Sequence, residues 1–305
     1  MTSVTVFVHI HYPDTWAPIR DRLQACMAIP YRIVLTTTSD PDQFDPPKSE
    51  YLLAMSTYPT ENRGRDVLPF LEMLRRAEPF DVGLKLHGKK SLHRLDGVSW
   101  RDALLQSLLP SADKVAAIVS RIASDPSMGI VAPDKSLFSL DRHIGRNMGA
   151  MRKIASRLGV DLETLLAKTP YFAAGTMFWF RSDAFQALGQ LDYAGAFPAE
   201  KGQTDGTAAH AFERLFPAIA GQAGAATVTA SMIPALPDGL TSDALKANAL
   251  DVLDTDSVHV RRPSRLGAFV MRYLWFVTPF YAAMPVSVRR LVKRVSSDAF
   301  HSDGR

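Results

Sequence analysis

Only one cysteine, Cys26, stands among the 305 residues, so no disulfide can close within the chain and the composition suits a reducing compartment. Long apolar runs are missing too. The most apolar stretch, near the C-terminus, is interrupted by Arg272 and broken by Pro279 and Pro285, and falls short of the roughly twenty residues that span a bilayer. Met1-Thr2-Ser3-Val4 lacks the basic start, apolar run and small-residue cleavage site of a secretory signal, which predicts cytoplasmic folding. With 35 Lys and Arg against 31 Asp and Glu, the charge is too even to point to a nucleic-acid partner. Internal repeats and low-complexity tracts are absent as well.

What is present is an alternation of strand and helix signals. Val4–Ile10 is β-branched and apolar, and Trp16, Ile19 and Leu23 follow at helical spacing. Tyr31–Thr37 predicts a buried strand, Lys48–Ser56 a short helix, Asp66–Arg76 a helix and Val82–Leu86 a strand. Ser111 can cap a helix through Ile122, ended by Asp125-Pro126 before a strand at Gly129–Ala132. Asn147–Leu158 and Leu162–Ala167 predict helices, Ala173–Phe180 one buried strand, and Thr207 the cap of an amphipathic helix through Phe216. This order predicts an α/β fold with a parallel or mixed sheet flanked by helices. Its expected organisation is a catalytic domain over 1–233, a linker or lid over 234–260, and a basic, aromatic, amphipathic helical tail over 261–305. That tail, with Arg261, Arg262, Arg265, Phe269, Tyr273, Trp275 and Phe276, fits an interfacial segment on an anionic membrane; a helix pair closing the core is the competing reading.

Three polar blocks fall where α/β sheets bind ligands, beyond the carboxyl ends of strands. Asn62-Arg63-Gly64-Arg65-Asp66 precedes a helix, and its two guanidiniums match phosphate oxygens; a solvated turn with Asp66 as a helix cap is the plain alternative. Lys85-Leu86-His87-Gly88-Lys89-Lys90 leaves a buried strand with Lys85 and His87 on one side, a concentration of cations that an anion would neutralise. Gly175 and Thr176 lead towards Trp179, while Gln203-Thr204-Asp205 precedes a helix and offers Asp205 as a general base, with Glu200 and Asp192 as weaker alternatives. Trp100 and Trp179 are the candidate faces for a sugar ring. No Asp-x-Asp pair follows the central strand, so no metal ligand is assigned; Mg2+ or Mn2+ stays open as an alternative to Lys85, His87, Lys89 and Lys90.

Taken together, His9-Ile10-His11-Tyr12-Pro13-Asp14, Thr36-Thr37-Thr38, Asn62–Asp66, Lys85–Ser91, Gly129–Pro133, Ala173–Trp179 and Gly202–Thr207 resemble the rhamnan synthesis protein F family over the first two-thirds of the chain. The resemblance implies a GT-A-like nucleotide-sugar-binding fold. It also implies a hexosyltransferase, inverting in mechanism, working in cell-wall, O-antigen or capsule synthesis. The implied partners are a donor such as dTDP-rhamnose, a lipid-linked glycan acceptor and, through the tail, the inner face of the inner membrane. Donor contacts would come from Asn62, Arg63, Arg65, Asp66, Lys85, His87, Lys89 and Lys90, acceptor or sugar contacts from Trp100, Gly175, Thr176, Trp179 and Gln203, and the base from Asp205. The second hypothesis is a non-catalytic carbohydrate-binding or assembly component. A phosphodiester enzyme built on His87 ranks third.

Overall fold

The computed structural model describes residues 2–88, 97–190, 193–200, 205–254 and 272–273. The first half runs β1 (Val4–Ile10), α1 (Trp16–Cys26), β2 (Tyr31–Thr37), β3 (Leu52–Pro59), α2 (Val67–Arg76), β4 (Val82–His87), α3 (Gly97–Leu108), α4 (Ala112–Ser124) and β5 (Met128–Ala132). A small unit follows: β6 (Leu137–Ser139), α5 (Leu140–His143), α6 (Met148–Arg157), α7 (Leu162–Lys168) and β7 (Tyr171–Ala173). The chain then returns through β8 (Phe178–Arg181), α8 (Gln186–Gly189), α9 (Ala208–Gln222), β9 (Ala226–Thr229) and α10 (Ser242–Asp251).

Seven strands form one sheet in the order β3-β2-β1-β4-β8-β5-β9, and β6 pairs with β7 in a separate antiparallel ribbon. Only β8 is reversed against its neighbours, so the carboxyl ends of β1, β2, β3, β4, β5 and β9 share one edge. All seven residues of β1 are buried, as expected for a strand covered on both faces. Side chains alternate between two cores. Phe7, Ile130, Phe178 and Phe180 join α2, α6, α7 and α9 on one face; Val6, Val8, Val131 and Trp179 join α1, α3 and α4 on the other.

Three expectations change. Residues 48–56 form no helix: 48–51 lie outside regular structure and Leu52–Ser56 pair within β3, where the ladder along β2 overrides the weak helix preference of Leu, Ala and Met. Ala173–Phe180 is two strands, broken by left-handed backbone at Gly175 (φ 101°) and Thr176 (φ 52°). The expected linker carries α10, whose Leu245 and Ala249 are fully buried. Among the described residues no helix is long and apolar enough to cross a membrane. The tail lies outside the described residues except for Arg272, whose Nη1 stands 3.3 Å from Asp141 Oδ1, and the exposed Tyr273.

Candidate functional site

The parallel register places the site. His9 lies opposite Thr36 on β2 and His87 on β4, and Phe7 lies opposite Lys85, so these groups project from one face near the carboxyl edge. Helix α2 covers that face, with Asp66 at its N-cap position. Opposite stands the Gly175–Thr176 turn, whose two left-handed residues turn successive carbonyls inward. Thr176 is not glycine, and a β-branched residue there stores strain of about 1–3 kcal/mol, which the surrounding bonds hold in place.

Those bonds form a closed knot. Lys85 Nζ donates to Asp66 Oδ2 and, at 2.8 Å, to Thr176 O. Thr176 Oγ1 lies 2.7 Å from Asp66 Oδ2 and 2.8 Å from Gly175 O; the charged oxygen is the stronger acceptor for its single proton. His87 Nε2 meets Gly175 O at 2.7 Å and Thr176 Oγ1 at 3.2 Å. A carbonyl can only accept, so this network assigns a proton to Nε2 of His87. His9 Nδ1 and Thr36 Oγ1 are 3.1 Å apart, and His11 Nδ1 and Thr38 Oγ1 repeat the pair at 2.7 Å at the rim.

Burial sets the electrostatics. It would raise the Asp66 carboxyl, but the His87 and Lys85 charges and the bonds from Lys85 and Thr176 outweigh it and hold the group well below the usual carboxylate range. For Lys85 burial acts downward, and the Asp66 charge and hydrogen bond oppose it. Burial pushes His9 down to about 3, so it is neutral at physiological pH.

Lys85 therefore departs from its expected role. It is 1% exposed, its ammonium is occupied by Asp66 and Thr176, and it lies 5.3 Å from the Phe70 ring centroid. Its ammonium is thus enclosed within the knot rather than open at the surface. Trp179 is also corrected: it is fully buried with Nε1 donating to Leu108 O at 2.9 Å, so it presents no face to a sugar. Trp100 stays half-buried beside Gly175, where a Cβ built on the glycine would lie 3.8 Å from Trp100 Cζ2 and 2.8 Å from Leu104 Cδ1.

The Asn62–Asp66 loop is shaped by left-handed backbone at Gly64 (φ 66°) and Arg65 (φ 55°). Asn62 is exposed, Arg63 Nε donates to Phe197 O, and Arg65 Nε lies 3.5 Å from Glu200 Oε2. Lys89, Lys90, Asp192 and Gln203 lie outside the described residues.

Asp205 closes a second turn: Oδ2 accepts from the Arg146 amide and Oδ1 from Asn147 Nδ2, both at 2.8 Å, while Asn147 Oδ1 accepts from the Gly206 amide at 3.1 Å. Burial would raise its carboxyl; the Arg214 charge, these two bonds and His210 overcome that and hold it below the usual range. Sequence reasoning missed what joins this turn to the knot. Glu213 Oε1 accepts from the Gly175 amide at 2.8 Å and Oε2 accepts from Arg214 Nη1 at 2.7 Å, while burial, with the Arg65 charge adding to it, pushes His210 down to about 4. The signal was legible: three ionisable residues, at positions 210, 213 and 214, interrupt a helix that is otherwise apolar up to its terminal Gln222. Among the described residues no group of three or more His, Cys, Asp or Glu could hold a metal ion, and the one carboxylate in the knot is already taken by Lys85 and Thr176.

Comparison with known proteins agrees with the motifs. Two relatives, each called "Uncharacterized protein WxcX" and coming from two strains of Xanthomonas campestris pv. campestris, are 37% identical over 219 residues. The matched stretch is 70% of this chain and 30% of each relative, so the chain spans less than a third of their length. A family model described as rhamnan synthesis protein F matches residues 1–224, which include the knot, both turns and all of α9. The chain belongs to the rhamnan synthesis protein F family, implicated in polysaccharide synthesis.

Proposed function

We propose that the chain is a glycosyltransferase of GT-A type that moves a sugar, rhamnose being the first candidate, from a nucleotide-sugar donor onto a growing cell-surface glycan. One observation carries this reading: a strained turn and a buried ion pair converge with two histidines at the carboxyl edge of a mostly parallel sheet, within a polysaccharide-synthesis family. Transfer with inversion needs a cradle for the leaving diphosphate and a base for the acceptor hydroxyl. Arg63, Arg65 and His87 are the proposed diphosphate contacts, with Asn62 beside them and Lys89 and Lys90 as the sequence's additional cations. Asp66 and Lys85 hold the turn beneath them. Trp100 is the proposed sugar face, and Asp205 the proposed base. Mg2+ or Mn2+ is the alternative to these cations at the leaving diphosphate.

The binding-component alternative draws on a specific observation. The four carboxylates around the turn, Asp66, Glu200, Asp205 and Glu213, all already accept hydrogen bonds or pair with a cation. Incubating purified protein with dTDP-rhamnose and with UDP- and GDP-sugars, with and without Mn2+, separates the readings. The transferase reading expects hydrolysis or transfer of one donor. Glycan binding without consumption of any donor favours the component, and rescue of a chelated enzyme by Mn2+ overturns the metal-free cradle.

A further inference from the structure

A second concavity lies on the same sheet edge, over β5 and β9, and the proposed transfer chemistry does not use it. This open groove of about 440 Å3 falls within the roughly 300–1,000 Å3 typical of small-molecule sites. Its walls are α3, α4 and the turn after β9; Ala103, Ala117, Ile118, Ile233 and Pro234 give it an apolar surface, bordered by the polar Gln106, Ser107, Asp134 and Ser231. Aromatic rings, which a sugar-stacking groove would use, are absent from its lining. Asp134 ties the walls together, its Oδ2 accepting from Ser107 Oγ at 3.1 Å and its Oδ1 from the Ser231 amide at 2.9 Å, so one carboxylate links α3 to the turn after β9.

Two exposed lysines, Lys114 and Lys135, line this apolar channel, and neither makes an ion pair or side-chain hydrogen bond among the described residues. Lys135 is held in left-handed backbone at φ 58°, a conformation that costs a non-glycine residue about 1 kcal/mol or more and clusters at ligand clamps. A groove with an apolar wall and two unpaired lysines complements an apolar chain bearing an anionic head, since the chain removes apolar surface from water while the head neutralises the lysines.

We propose that this groove binds a single-chain lipid phosphate, with the hydrocarbon chain along α3 and α4 and the phosphate against Lys114 and Lys135. Helix α3 serves both sites: Leu104 and Trp100 flank the Gly175 turn, and Ala103 and Ser107 line the groove. The proposal goes beyond the transferase reading and does not rest on it, because lipid binding is read without any sugar donor.

The test is calorimetric titration of the full chain with decyl phosphate below its micelle concentration, beside decanol and inorganic phosphate. The expected result is saturable binding of decyl phosphate at least tenfold tighter than of either half-ligand. Ala117→Trp, which fills the groove from an exposed position, should abolish it, and Lys114→Glu with Lys135→Glu should weaken it tenfold or more, both with unchanged circular dichroism. No binding, equal binding of inorganic phosphate, or full binding in Ala117→Trp would each overturn the proposal. Nucleotide-sugar consumption measured on the same preparations reports separately on the transferase reading.

Discussion

The two halves of the sheet's carboxyl edge are made from the same parallel strands and are built in opposite ways. Over β1, β2 and β4 the chain buries ionisable groups: Lys85 is 1% exposed, and His9 and His87 are each 8% exposed. Over β5 and β9 it does the reverse, leaving small apolar side chains at the surface and setting lysines in solvent. Burying ionised groups is costly unless they are paired, and a left-handed threonine adds strain, so a sequence selected for stability alone has no reason to keep the first arrangement. The knot is the half that carries buried ionisable groups and backbone strain, and its contrast with the groove can be broken in graded steps.

The largest effect is expected from Lys85→Met, which removes the ion-pair partner of the buried Asp66 carboxylate and should lower unfolding free energy by about 3–5 kcal/mol in urea titrations. Adding Asp66→Asn should restore much of that loss. A Lys85→Met protein of native stability that simply fails to bind donor would show Lys85 to be a ligand contact instead. Gly175→Ala should cost about 1–3 kcal/mol, because the new Cβ meets Leu104 Cδ1 at 2.8 Å and the backbone sits at φ 101°. A matching change on the groove side, Ala117→Trp, should leave unfolding unaffected.

Acid should act on the knot side before the groove side. His9 and His210 have folded pKa values, about 3 and about 4, below the ordinary 6.5. In that interval the unfolded chain binds protons that the folded chain does not, so stability falls as pH drops from 6.5 towards 4. At pH 5 the His9 contribution is on the order of 2 kcal/mol, and His9→Gln should flatten the pH dependence of Tm between pH 7 and 5. Asp66 works in a lower window: its depressed pKa gives stability that is present above the ordinary carboxylate range and lost as pH falls through the folded value. An unchanged slope in His9→Gln would mean that the ring is not desolvated.

The smallest effect concerns Asp205. Asp205→Asn should cost about 1 kcal/mol by weakening the clamp on Arg146 and Asn147. If Asp205 is also the base, turnover should disappear in a variant that still folds and binds donor; if it is only a clamp, kcat should follow the small stability change.

The positions of the polar blocks were legible because period-two apolar strands end where the ionisable residues begin, as at Lys85-Leu86-His87 and His9-Ile10-His11. Their roles were not, because a side chain's partner depends on a register that sequence does not display. Lys85 reads as a free cation until α2 brings Asp66 over it. Trp179 reads as a sugar platform until β4 and β5 enclose it on both sides. Gly175 reads as a sugar contact, but the break it makes between β7 and β8 is a backbone event that an apolar run conceals. Glu213 became meaningful only when α9 laid it against the Gly175 amide.

The most direct test of the knot as a donor site is a thermal-shift titration of the wild-type chain with UDP, GDP and dTDP. One nucleoside diphosphate should stabilise the fold, by about 2.7 kcal/mol at a hundredfold excess over its Kd, with the shift lost in Arg65→Gln. A folded protein whose Tm moves with none of the three would contradict the account.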